Sequence, residues 1–262
     1  MPAHSRCDSF YFPLDHGIAI SVLEPRFRSE LHDDARVAGL VYLAVVVAGI
    51  FSLGYVPGQL SIVGTGASAL DVMVRGEALF RFGIAAEIIC QTAFLILPFA
   101  LCRVLWAIDN KAAILMTAFA ASSVPLGFAN IAHHFEVLRA IVDFKTSALT
   151  PEQADAVITS ARASYLNGLK LLFVFWGLWL LPLGYLVIRS GFLPVTLGAL
   201  LIARGVDYVF DCFGFLLLEN YTSSLLNRVL SVGRFAEILF CAWIVVFGAR
   251  RWVIKFGRKA AA

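Results

Sequence analysis

Three long stretches of the chain contain no Asp, Glu, Lys or Arg: Val37 to Leu70, Ala112 to Phe135, and Leu171 to Ile188. A charged side chain at the bilayer centre costs about 2.5–3.5 kcal/mol on insertion scales. One helical crossing needs about 20 apolar residues. Long charge-free runs are therefore the mark of membrane-spanning helices. Composition points the same way: 60% of the 262 residues are hydrophobic, 15% are charged, and mean hydropathy is +0.83. Soluble domains carry about 25% charged residues, and disordered chains are rich in charge and poor in apolar side chains. Both classes are excluded, and the fold class expected is all-α, a polytopic transmembrane bundle.

Six spans are expected, at about 36–56, 80–106, 112–140, 166–189, 192–218 and 230–249. They form a membrane domain over residues 35–250, between an N-terminal tail (1–34) and a basic tail (251–262). Residues 1–34 lack the apolar core and small-residue cleavage site of a signal peptide. They read as a mostly irregular tail whose Phe10-Tyr11-Phe12 rests on lipid headgroups. A Gly/Ser-rich loop joins the first two spans. Thr150-Pro151-Glu152-Gln153 has the form of a helix start, with Thr as cap, Pro in the first turn and Gln three residues on. It predicts a short interfacial helix leading into the fourth span. Pro98, Pro125 and Pro182 lie inside the second, third and fourth spans, where they kink the helices as fixed bends or as hinges. Cys90, Cys102, Cys212 and Cys241 lie in apolar segments without CxxC spacing, as small core residues do.

Basic residues near the span ends set the orientation. Arg26, Arg28, Arg36, Arg103, Lys111, Arg189 and the cations at 250, 251, 255, 258 and 259 share the side of the termini. Arg75, Arg81, Arg139, Lys145, Arg162, Lys170, Arg228 and Arg234 are spread over the longer loops of the other side. The bias places both termini in the cytoplasm and the chain in the plasma membrane.

Ionisable residues inside spans are costly, and are functional candidates for that reason. Glu87 and Gln91 lie in the second span, Asn130, His133 and His134 in the third, Arg204, Asp207 and Asp211 in the fifth, and Arg234 and Glu237 in the sixth. Alternate spans run in opposite directions, so their depths converge on the half of the membrane opposite the termini. At about 100° per residue, Arg204, Asp207 and Asp211 share one arc of their helix. Glu87 with Gln91, and Asn130 with His134, are four apart and share a face, and Ser123 extends the Asn130 stripe. The fifth span is near break-even for insertion with three charges, so Arg204 is expected to pair with Asp207, and Asp211 needs a donor from another helix.

Other chemistries are not supported. The excess of 21 basic over 18 acidic residues is too small to suggest nucleic acid. His133 and His134 point about 100° apart on a helix, unlike the i,i+4 spacing that lets two rings share a metal ion, and no HExxH occurs. No GxSxG is present, and Gly64-Thr65-Gly66 is too short to cradle phosphate. No metal or cofactor is expected.

Several segments carry a resemblance: Ala35–Leu40 and Ala78–Ile84 at the openings of the first two spans, the run Gly177-Leu-Trp-Leu-Leu-Pro-Leu-Gly-Tyr185, then Ser190-Gly-Phe-Leu-Pro194, with Asp211 and Glu237…Trp243. Together they resemble a bacterial integral-membrane family, domain of unknown function 4386, over about residues 34–250. The resemblance implies six spans and a polar pattern of Arg81, Glu87, Gln91, Asn130, Asp211 and Glu237. It departs at His133-His134, where the family carries amides, and at Arg204 and Asp207, which replace small residues. Three functions stay open: binding of a small molecule or lipid headgroup by the polar network, lipid modification with Glu87, Asp211 or Glu237 as general acid/base, and a structural or regulatory subunit. The lipid bilayer is the one partner expected in all three.

Overall fold

The computed structural model describes residues 25–61, 66–191, 193–218 and 235–245, and all its regular elements are helical. The first, α1 (Pro25–Gly49), passes through a π-helical turn (Ile50–Tyr55) into the short α2 (Val56–Gln59). Then come α3 (Ala69–Arg75), α4 (Glu77–Leu105), α5 (Asn110–Lys145), α6 (Pro151–Ser190), α7 (Val195–Leu217) and α8 (Ala236–Trp243). Four of these helices are long and apolar enough to cross a membrane: Val37–Gln59, α4, α5 and α6.

Three sequence expectations change. Residues 25–34 are helical rather than irregular, because Pro25 supplies a preset first turn and the residues after it continue the first span without a break. The loop between the first two spans contains α3, whose start is capped by the Ser68 hydroxyl accepting from the Asp71 amide at 3.1 Å. No separate interfacial helix precedes the fourth span. Its residues and the span are one 40-residue helix, α6, because Ala154, Ile158, Ala161 and Tyr165 continue the buried face in helical steps. The capping box at Thr150 and Gln153 forms as expected, with bonds of 3.3 and 2.9 Å. Gly191, in the left-handed region at φ 65°, ends α6.

α7 has 23 residues but carries Arg204, Asp207 and Asp211, which sets it apart from the four apolar spans. Of the expected sixth span, only 235–245 is described. The N-terminal tail to residue 24 with its Phe10-Tyr11-Phe12, the loop at 220–227, Arg234 and the basic tail lie outside the described residues.

Helices α5 and α6 extend about 54 and 60 Å at ~1.5 Å per residue, well beyond the ~30 Å hydrocarbon core. The apolar core divides accordingly. One cluster fills the bundle around Trp179, Leu180, Leu97, Met116, Tyr42 and Phe240. The other, around Met73, Phe80, Ile84, Ile131, Ile141 and Ile158, binds α3 to the projecting ends of α4, α5 and α6. This cap is tied by Lys145 to Glu77 at 2.5 Å and by the Leu70 amide donating to Asp155 at 2.8 Å. The links at the opposite end, Trp106–Asp109 and 191–194, are short.

Pro57 explains the π-helical turn. Its ring carries no N–H and crowds the carbonyl four residues earlier, so the helix widens just before it. The widened register leaves Ser52 buried on the side of α4.

Candidate functional site

The boundary between the two core clusters holds the buried carboxylate Glu87, ten residues into α4 and 5% exposed. The Tyr165 hydroxyl, on α6, donates to its Oε1 at 2.8 Å. The Nε2 of His134, on α5, faces its Oε2 at 3.2 Å. The His134 ring lies over the Tyr165 ring, centroids 4.0 Å apart, with the Phe80 ring edge-on to it at 5.2 Å. Asn130, one turn before His134, donates its amide to the Tyr165 carbonyl at 3.1 Å. Three helices thus fix one carboxylate, as a buried charge requires.

A cavity of about 90 Å³ opens against this group. Its polar lining is Glu87, His134, Tyr165, Ser52 and Arg162, and the rest is apolar, with Val56, Leu60, Met73, Phe80 and Ile84. Pro57 and Leu166, both exposed, stand at its rim. Two polar atoms of the lining residues, Ser52 Oγ and His134 Nδ1, are buried with no partner among the described residues. Among the described residues the half-buried Arg162 guanidinium reaches only the Met73 sulfur at 3.7 Å and the Leu60 carbonyl at 3.5 Å. Buried polar groups are normally satisfied, and these polar atoms without a partner among the described residues belong to residues lining one cavity.

The other charged candidates among the described residues are paired elsewhere. Arg204 pairs with Asp207 as expected, and its guanidinium also lies 3.6 Å from the Tyr208 ring centroid. The Tyr208 hydroxyl donates to Glu237 at 3.2 Å, joining α7 to α8. The donor that Asp211 needs is Lys170 of α6, at 2.5 Å. Arg81 pairs with Glu77 at 2.8 Å in the exposed cap. Gln91 is buried beside Gly127, its Oε1 unpartnered among the described residues. The structure therefore brings Glu87, Asn130 and His134 together, groups Arg204, Asp207 and Glu237 separately, and leaves Arg81 and Asp211 apart from both. Among the described residues no three His, Cys, Asp or Glu side chains converge on a metal position.

Ser52, Arg162, Tyr165, Lys170 and Tyr208 are site or partner residues that sequence reasoning did not single out. Ser52 sits inside a charge-free run, and Arg162 and Tyr165 fall in the segment assigned to a separate helix. Lys170 borders the run Leu171–Ile188, and its position one residue outside was the available signal.

A family model described as domain of unknown function (DUF4386) matches residues 37–248. An uncharacterized protein of Archaeoglobus fulgidus is 33% identical over 82 residues, covering 31% of this chain and 47% of that protein. The chain thus matches less than half of that relative's length. No solved structure matches.

Proposed function

The chain belongs to the DUF4386 family, and from that premise we propose that it is a multi-pass membrane protein that takes the polar head of an amphiphile into the cavity beside Glu87. The observation that carries the reading is the set of unmet polar atoms, Ser52 Oγ and His134 Nδ1, on residues lining a cavity that also holds the poorly partnered Arg162. At about 90 Å³ the cavity holds several water-sized groups, but falls short of the ~300–1,000 Å³ of sites that enclose a whole drug-sized ligand. A head fits and a tail does not. The tail leaves past Pro57 and Leu166 into lipid.

In this reading the chain crosses the plasma membrane six times, with both termini cytoplasmic. The four apolar spans are joined by α7 and by residues 230–249. Pairing of Asp207 with Arg204 and of Asp211 with Lys170 supports the insertion of α7, since charges inserted with partners are less costly than charges alone. The α7 and α8 charges then act as interhelical glue, and the Glu87 group as the binding site.

The test uses the purified protein in nanodiscs of diacyl phosphatidylcholine. Thermal unfolding is followed with added monoolein, palmitate or lysophosphatidylcholine. At least one should raise Tm saturably, and Ser52→Phe, which fills the cavity, should abolish the shift. No shift from any of the three, or shifts that survive Ser52→Phe, would overturn the proposal.

A further inference from the structure

The charge and shape of the cavity narrow the class of ligand. Among the described residues Arg162 makes no ion pair, and its contacts are a thioether and one carbonyl at the long limit for a hydrogen bond. A partly buried guanidinium offers five N–H donors in a planar fork and is stabilised by an anion that accepts them. Glu87 lines the same cavity, but both its oxygens are engaged, by Tyr165 and His134. Among the described residues the Arg162 charge in this cavity thus has no direct partner. Ser52, on a different wall, the π-helical turn, adds a hydroxyl that has no partner among the described residues. The apolar lining continues from these groups to an exposed rim.

We propose that the ligand is a long-chain carboxylate, its head held by the Arg162 fork and the Ser52 hydroxyl and its hydrocarbon tail running out past Leu166; the inference rests on the amphiphile-binding reading above. A carboxylate matches a single guanidinium bidentately and brings one negative charge. A phosphate monoester brings up to two, and its second charge would face the carboxylate of Glu87. Phosphodiester lipids with large headgroups exceed the space. An uncharged ester or alcohol leaves the Arg162 charge unmet.

The experiment is displacement of cis-parinarate fluorescence from the full chain in nanodiscs. Competitors are palmitate, methyl palmitate, hexadecyl phosphate and acetate. Palmitate should displace the probe at a concentration at least tenfold below methyl palmitate and below hexadecyl phosphate. Acetate, which lacks the tail, should not displace it. In Arg162→Gln the advantage of palmitate over methyl palmitate should fall to about one, and Arg162→Lys should restore part of it. Equal displacement by palmitate and methyl palmitate in the wild type overturns the carboxylate assignment, and so does a preference for hexadecyl phosphate. These wild-type ratios decide the matter even if the Arg162 variants do not fold. Saturable binding of monoolein that Ser52→Phe removes, without any preference for palmitate, would refute the carboxylate and leave the amphiphile-binding reading standing. Absence of all saturable binding would refute both.

Discussion

The Tyr165 hydroxyl and the Glu87 carboxylate, 78 positions apart in sequence, meet at 2.8 Å where the membrane bundle joins the cap. Both side chains are buried, and a hydrogen bond to a charged group contributes about 1.5–3 kcal/mol. Tyr165→Phe keeps the ring that stacks on His134 and removes only the donor. It should destabilise the protein by about 2 kcal/mol, read by chemical denaturation in detergent. In a Glu87→Gln background the same change should cost much less, giving a coupling of ~1–2 kcal/mol. Additive losses would show that the two groups do not interact in the folded protein.

Lys170 and Asp211 make the comparable link between α6 and α7, at 2.5 Å and partly buried. Removing one member leaves the other charge inside the bundle, which costs more than the pair is worth. Lys170→Met and Asp211→Leu should each lower stability, by about 2 kcal/mol. The double variant should recover much of that loss, because no lone charge remains. A double variant as unstable as the sum of the two would rule out a direct pair.

The extent to which the sequence disclosed these features follows from the kind of interaction involved. Charge-free runs and interior prolines are local, and the helices they marked form. The Arg204–Asp207 pair is also local, three residues apart on one helix, and forms as expected. The Glu87 group needs the register between α4, α5 and α6, which no single segment contains. Its Tyr165 is hidden in the sequence because the helix start at Thr150 reads as that of a short element, whereas the helix continues through Asn167-Gly168 without a break. The long cap region follows from that one continuity. Arg162 and Ser52 became visible only through what they fail to contact, and spacing alone carries no information about unmet hydrogen bonds.

Asp109 gives a prediction outside the spans. It caps α5, and the Ala112 amide, followed by the Tyr185 hydroxyl, holds its carboxyl below the ordinary carboxylate range. A group whose folded pKa is depressed adds stability above its unfolded value, about 3.9. That stability is lost as pH falls through the lower folded value. The Tm of the wild type should therefore drop between neutral pH and pH ~3 by more than that of Asp109→Asn, measured by differential scanning fluorimetry. Parallel pH profiles for the two proteins would count against the cap.

The contact of α6 with α7 depends on two pairs of glycines. A Cβ built on Gly184 would lie 2.7 Å from the Gly198 carbonyl oxygen, and one on Gly198 would lie 2.7 Å from that of Gly184. One step of seven residues along each helix, Gly177 and Gly205 stand in the same relation, at 2.5 and 2.8 Å. The obstacles are backbone atoms, which cannot swing aside as a side-chain end can. In lipid there is little hydrophobic drive between helices, so close backbone approach through small residues is a main source of their association. Alanine would favour the helix itself by ~1 kcal/mol, yet here the added methyl must push the two helices apart. Gly184→Ala and Gly198→Ala should each destabilise the protein by about 1–3 kcal/mol, as overpacking does. Gly58→Ala, at a position with open space around it, should be neutral or stabilising. The separation would also stretch the Lys170–Asp211 pair, so Gly184→Ala should reduce the coupling measured between those two residues. Unchanged stability in Gly184→Ala and Gly198→Ala would mean that α6 and α7 do not approach this closely in the membrane.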